Sequence, residues 1–512
     1  MRPDDHAELT PAKAALIVAG SAGETMLDYQ TLCRRSRQLA AFLKSSSLTE
    51  GDTVAILLEN RPEVVVAVWA AQRAGLKYTL INHHLHADEA FYILRDCDAV
   101  ALVTSAALAP LTAGHEALES LKVRLVADAA VAGFSSWEKL FDSDAGSEPL
   151  DPELEIEGAM MLYSSGTTGR PKGICYNHPR QKFGDFVAVR NLLANGFAMN
   201  ADSVLLVAGP LYHAAPMSWS IGAQRLGATV VAMEKYDPLE CLRLIEAHRV
   251  THVLMVPTHF IRMLKLSQAE RERHAIASLQ YVIHAAAPCP QDVKQAMLDW
   301  WGPIIYEFYS STEANGFVMI GPHDWLQRKG SVGRVTYGKI HILDDDGAPM
   351  PSGQPGQIWF ESAGAGFAYH KDAEKTRQAY DAQGRSTVGD VGYLDRDGYL
   401  YLTDRKSNMI ISGGVNIYPQ EVENLLALHP AVSDIAVIGV PHHDFGEEVL
   451  AVVVAAPGAE VSERLGQELI DYCRNRIAHF KCPRQVRFRD ELPRTAAGKL
   501  VKRLLKEQYA AA

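Results

Sequence analysis

Through the first half of the chain, short apolar runs alternate with stretches of helical periodicity, and no other pattern restricts the fold as strongly. Residues 54–58 follow a Gly51-Asp52 turn and read as a strand. Pro62 then opens a helix where its missing N–H goes unused, and Gly75 closes it. The same rhythm returns at 204–209, 229–233, 252–256 and 281–285, with helical stretches such as 239–248 between. Upstream, residues 31–44 set Leu32, Leu39 and Leu43 near one helical face. Strands separated by helices predict parallel sheets covered on both faces.

From about Gly330 the texture changes to short β runs broken by Gly and Asp turns (DDDG, PSGQPGQ, DRDG), which predicts a small antiparallel or β-barrel-like piece. Beyond Asp404-Arg405 the chain mixes strands at 435–440 and 449–455 with helices at 420–428 and 462–477. The expected architecture is α/β. A large N-terminal domain of helix-flanked β-sheets with a barrel-like subdomain spans 1–405, and a smaller α+β domain spans 406–512.

Size and charge narrow the function. With 512 residues and 47% hydrophobic content the chain can bury a large core. Fifty Lys and Arg against sixty-one Asp and Glu give a net charge of −11, which argues against a general nucleic-acid binder. The longest apolar runs, 64–71 and 449–456, fall far below the roughly 18–20 residues of a membrane-spanning helix. The opening MRPDDHAELTPAK lacks the pattern of an export signal, so a cytoplasmic location is expected. Seven scattered cysteines form no CxxC pair and predict reduced thiols rather than a disulfide framework or zinc site.

The most informative run is Tyr163-Ser164-Ser165-Gly166-Thr167-Thr168-Gly169-Arg170-Pro171-Lys172-Gly173. Its glycines allow close backbone approach, its hydroxyls donate hydrogen bonds and Lys172 adds a point charge, a composition suited to polyphosphate. The P-loop of nucleotide hydrolases needs Gly before its lysine and Ser or Thr after it. Pro171 and Gly173 stand there instead, so that reading fails.

The run resembles the phosphate loop of adenylate-forming enzymes, the superfamily of acyl-CoA synthetases, peptide-synthetase adenylation domains and firefly luciferase. Further motifs follow in the family's order along nearly the whole chain. Tyr309-Ser310-Ser311-Thr312-Glu313 resembles the element in which Tyr stacks on adenine, Thr binds phosphate and Glu holds Mg²⁺. His284-Ala285-Ala286-Ala287-Pro288 is similar to the segment along adenine and the acyl pocket, with Ala285 where Gly is commoner. Val388-Gly389-Asp390 resembles the element whose Asp binds ribose, with Val388 in place of the usual Thr. Asp404-Arg405 and Ser412-Gly413-Gly414 resemble the hinge and its glycine-rich loop, making Arg405 a ribose contact. Pro493-Arg-Thr-Ala-Ala-Gly498-Lys499 matches the C-terminal catalytic lysine motif. Singly, each has an ordinary structural explanation; their joint order does not.

The resemblance implies ATP, Mg²⁺ and coenzyme A as cofactors and a small carboxylic acid as partner. It also implies a C-terminal domain that rotates about the hinge between two half-reactions, with Ser407 at the pivot. Leu211-Tyr212-His213-Ala214-Ala215-Pro216 resembles a segment of free-standing acyl-CoA synthetases, which puts His213 beside the substrate carboxyl or thioester. The segments 213–221, 258–262, 284–289 and 309–317 are expected to line an acyl pocket through Met217, Trp219, Phe260, Ala285–Ala287, Ala314, Asn315 and Gly316. Arg262 is the one cation there, so a bulky, mostly apolar acid is expected: medium-chain fatty, aromatic, alicyclic or steroid side-chain. The alternatives are transfer of the acyl-AMP to a carrier protein, a luciferase-like oxygenase, or an inactive nucleotide- or acyl-binding scaffold. No membrane span and no nucleic-acid partner are expected, and the chain is expected to act as monomer or homodimer.

Overall fold

The computed structural model describes residues 2–112, 118–141, 150–164, 171–361, 366–405, 408–412, 415–494 and 500–510. The alternating first half forms two helix-flanked sheets. A six-stranded sheet runs Ser135–Ser136, Val123–Ala127, Ala99–Ser105, Thr53–Leu57, Lys77–Leu80, Ala159–Met160, with every pairing parallel. The Tyr29–Ser45 helix starts where the Asp28 side chain accepts a hydrogen bond from the Thr31 amide (2.6 Å), which satisfies one orphan donor. The Pro62–Arg73 helix ends before Gly75, whose φ of +71° suits glycine.

The second sheet has nine strands and departs from the all-parallel expectation at both edges. Its centre is parallel: Tyr281–His284, His252–Met255, Val204–Val207, Thr229–Met233 and Ala14–Gly20 in spatial order, with Ile305–Tyr309 alongside. At one edge Gly23–Asp28 returns antiparallel to Ala14–Gly20 across a two-residue turn. At the other, Phe317–Ile320 and Arg334–Tyr337 are antiparallel as well. The connections at 21–22 and 310–316 leave no room for the crossover that a parallel pairing needs, whereas 321–333 carries the Pro322–Gln327 helix and still returns antiparallel.

The turn-rich middle yields two small antiparallel sheets. One pairs Leu162–Ser164, Lys172–Tyr176 and Phe367–Tyr369; the other orders Lys339–Leu343, Gly356–Glu361, Asp390–Leu394 and Leu400–Arg405. The last part of the chain builds its own sheet around Gly446–Ala455 and Val432–His442. One face of that sheet packs on Ile410, Val422, Leu426, Leu469 and Cys473, and the other on Leu492 and Leu505. All seven cysteines are free, and among the described residues no helix is long and apolar enough to cross a membrane.

Candidate active site

Two neighbouring parallel strands bring the site together. Tyr281–His284 and Ile305–Tyr309 are paired with His284 opposite Glu307. Ala285–Ala287 and the loop through Glu313 therefore leave the same sheet edge side by side. Val204–Val207, two strands away, points the chain to His213, the residue that caps the Ala214–Arg225 helix. In parallel sheets ligands lie at this carboxyl end of the strands. Below it a buried ion pair, Lys294 Nζ to Glu307 Oε2 at 2.6 Å, ties the Gln291–Trp301 helix to the Ile305–Tyr309 strand. His284 lies 3.6 Å from the same carboxylate, and burial, then Lys294, pushes its ring toward the neutral form. Burial also draws His213 down to about 4, so it carries no charge near neutral pH.

The loop after Tyr309 is clamped from two other sheets. The Tyr309 hydroxyl donates to Asp390 Oδ2 at 2.7 Å, joining the adenine and ribose candidates. Asp390 is the register partner of Arg405, so both ribose candidates share one ladder rung. From the three-stranded sheet, the Tyr369 hydroxyl donates to Glu313 Oε1 at 2.8 Å, and the Tyr176 hydroxyl donates to the Thr312 carbonyl. Within the loop, Ser310 Oγ donates to the Gly316 carbonyl (2.7 Å) and Ser311 Oγ to Asn315 Oδ1 (2.9 Å). Gly316 is required because a Cβ would lie 2.0 Å from the Phe360 ring.

Two departures from the expected motifs are resolved by geometry. The glycine-like conformation falls on Ala286 (φ +74°), not on the Ala285 singled out from sequence; Ala314 behind Glu313 is also left-handed (φ +50°). Each such alanine costs about 1 kcal/mol, and strain of this kind collects at functional loops. The hydroxyl missing at Val388 is supplied one residue earlier. Thr387 Oγ1 donates to the Ile358 carbonyl (2.7 Å) and accepts from the Gly389 amide (3.2 Å), fixing the turn before Asp390.

Lys172 stands at the head of the strand that follows the phosphate-loop run, as register partner of Ser164. Its Nζ lies 3.5 Å from Asp372 Oδ2 and 6.0 Å from the centre of the Tyr369 ring. Lys375 Nζ sits over the same ring at 4.5 Å. Burial, then the neighbouring Lys172 ammonium, pulls Lys375 down to about 8. A carboxylate oriented by a phenol at one oxygen leaves the other for a hard cation, so Glu313 fits the chemistry of a Mg²⁺ ligand.

Thus contacts around one loop link Tyr309, Thr312, Glu313, Asp390 and Lys172, while Ala286, Ala287 and His213 follow strands of the same sheet at their carboxyl ends. Ser165, Gly166, Thr167, Thr168, Gly169, Ser407, Gly413, Gly414 and Lys499 lie outside the described residues. The nominated pocket residues divide. Ala286, Ala287 and Ala314 are exposed, whereas Met217, Trp219, Phe260, Asn315 and Gly316 are buried. Trp219 stacks on Phe308 (5.5 Å) and Phe308 on Phe317 (5.0 Å), while Phe260 packs edge-on against His284. The large rings pack among themselves behind the surface, where they lose water on both faces. Sequence reasoning missed Tyr176, Tyr369, Asp372, Lys375 and Thr387. The one local signal was Asp372 before a short helix, and that marks a cap rather than a site.

Known proteins match this geometry along the whole chain. The family model for AMP-binding enzyme matches residues 3–370, and that for the AMP-binding enzyme C-terminal domain matches 421–499. The chain belongs to the AMP-binding enzyme family, within the adenylate-forming superfamily, and is an AMP-forming acid–thiol ligase. It is 30% identical to the 2-succinylbenzoate–CoA ligase of Bacillus licheniformis, covering 98% of each chain. It is 32% identical to the indoleacetate–CoA ligase of Aromatoleum aromaticum, over 98% of this chain and 96% of that one. Among solved structures, the O-succinylbenzoate coenzyme A synthetase of Bacillus subtilis, in complex with ATP and magnesium ion, aligns with a TM-score of 0.82. Identity there is 28%, over 99% of this chain and 98% of that one.

Proposed function

We propose that the protein joins a bulky, mostly apolar carboxylic acid to coenzyme A, with ATP cleaved to AMP and pyrophosphate. The observation that carries this reading is the hydrogen-bonded frame of Tyr309 to Asp390 and Tyr369 to Glu313, which holds nucleotide and metal ligands before substrate arrives. In the first half-reaction a carboxylate oxygen attacks the α-phosphorus and the bond to pyrophosphate breaks. In the second, the thiol sulfur loses its proton, attacks the acyl carbon and expels AMP. The first step brings two anions together, so catalysis is mostly positioning and neutralisation of phosphoryl charge.

The Tyr309 ring stacks on adenine and Asp390 with Arg405 takes the ribose hydroxyls; Ala286 and Ala287 lie along the base. Ser164–Gly169 and Lys172 hold the β,γ-phosphates, Thr312 the α-phosphate and Lys499 the charge that develops on it. Glu313 holds Mg²⁺, which neutralises phosphate charge when bound. A neutral His213 flanks the substrate carboxyl, where a charged ring would hold the anion back from phosphorus. The unit 406–512 then turns on 1–405, withdrawing Lys499 and presenting Gly413 and Gly414 to the thiol.

For the acceptor, nine Lys and Arg lie between Lys481 and Lys506. A cavity of about 640 Å³ beside them is lined by Arg474, His479 and Arg484, a setting suited to the phosphates of coenzyme A. For the acid, the exposed Ala286, Ala287 and Ala314 offer a small apolar surface, and Arg262 is engaged over the Tyr236 ring at 4.9 Å. We place the enzyme in the cytoplasm, as monomer or homodimer. The test is a panel of aliphatic, aryl and alicyclic acids with ATP, reading pyrophosphate release and then AMP release with and without coenzyme A. Apolar acids should give both, with AMP release dependent on coenzyme A. Preference for dicarboxylates would overturn the substrate class, and AMP release indifferent to coenzyme A would overturn the acceptor.

A further inference from the structure

Lys172 and Lys375 are brought together by two independent devices. The Lys172–Tyr176 and Phe367–Tyr369 strands are antiparallel neighbours with Ile174 opposite Tyr369, so the Tyr369 ring lies beside the head of the strand that begins at Lys172. Lys375 is then directed back over that ring by the start of its helix. Asp372 Oδ1 accepts from the Lys375 amide (3.0 Å), and Thr376 Oγ1 accepts from the Tyr369 amide (2.9 Å) while donating to the Asp372 carbonyl (2.8 Å). The two ammonium groups end 6.0 and 4.5 Å from one ring centre.

Two half-buried like charges repel unless an anion lies between or against them. Asp372 serves Lys172, and Glu313 is turned toward the Tyr369 hydroxyl. Once Glu313 is committed to a metal, Asp372 is the one carboxylate left facing the two ammoniums among the described residues. The pair stands at Lys172, the register partner of Ser164, where the phosphate-loop run begins and ends. A polyanion with charge spread over several oxygens is what such a pair would neutralise.

Resting on the adenylating reading above, we infer that Lys375 is a second cation of the pyrophosphate site, gripping with Lys172 the β,γ-phosphates of ATP and the pyrophosphate that leaves. AMP, lacking those phosphates, does not reach it. Tyr369 is then a positioning residue, carrying the cation pair on its ring face and Glu313 on its hydroxyl.

Calorimetric titration of ATP, AMP and inorganic pyrophosphate, without acid, into the full chain and its K375Q and K375R variants tests this. K375Q should weaken ATP and pyrophosphate by about tenfold while leaving AMP within about twofold, as expected for one lost charge-assisted contact. K375R should keep ATP within about threefold of the parent. Unchanged ATP affinity in K375Q, or equal weakening of AMP, which marks a structural role, overturns the inference while the adenylating reading stands. A parent protein that binds neither ATP nor AMP overturns both.

Discussion

The loop through Tyr309–Glu313 and the last hundred or so residues are held by opposite means. The loop has little apolar packing of its own. It is fixed by tyrosines reaching in from other sheets, by serine bonds within it and by Gly316 pressed on Phe360. The C-terminal portion is held by itself: both faces of its sheet are covered by its own side chains, and among the described residues Leu428 packs against the large portion's core. A nucleotide cradle must be rigid before substrate arrives, because rearrangement during the reaction would cost what preorganisation saves. On the proposed reading the C-terminal portion delivers a lysine for one half-reaction and withdraws it for the other, and such a part must keep its structure while changing neighbours.

The comparison breaks most readily at Arg73, whose buried guanidinium pairs with Asp4 (2.7 Å) and Glu155 (3.0 Å) inside the large portion. Arg73→Met strands the buried Glu155 and leaves Asp4 with Arg37 alone (2.7 Å), and should remove about 3–5 kcal/mol of stability. In scanning calorimetry the loss should fall on the large portion alone; a matching shift in the C-terminal portion would show that the two unfold together. Next, Lys499→Ala should slow acyl-AMP formation roughly 10²–10³-fold, by analogy with loss of one preorganised donor. Thioesterification of supplied acyl-AMP should stay near the parental rate, and equal loss in both steps would refute the division of labour.

Smaller effects sharpen the cradle. Tyr309→Phe keeps the ring but removes a hydrogen bond to a carboxylate, worth about 1.5 kcal/mol of stability, so the melting temperature should fall slightly and AMP affinity severalfold as Asp390 loses its orienting donor. A further prediction concerns pH. Burial lowers His213 from 6.5 to about 4, so between these values the unfolded chain takes a proton that the folded protein refuses. The stability this difference supports is complete above about 6.5 and is lost as pH falls through 4. His213→Gln should flatten that part of the stability profile; an unaltered slope would place the ring in water.

Much of the fold was legible because it is local. The strand at 229–233 was read with the bounds it has, and the helix at 239–248 is displaced by one residue. The edges of the nine-stranded sheet were not legible, since their direction depends on turn length and on partners far away in sequence. The same holds for the pocket. Side chains such as Met217 and Phe260 satisfy an apolar pattern equally well lining a cleft or filling a core, and packing put them in the core.

By itself the sequence determined which chemistry the chain carries, because each motif is a few contiguous residues whose spacing the backbone preserves. Only the tertiary structure decided how those residues are held. Tyr369 and Glu313 are 56 residues apart and Tyr309 and Asp390 are 81, so no periodicity couples them. Their hydrogen bonds exist because strands from three sheets end at one place, where a desolvated carboxylate is stabilised by whichever donor the fold brings within reach.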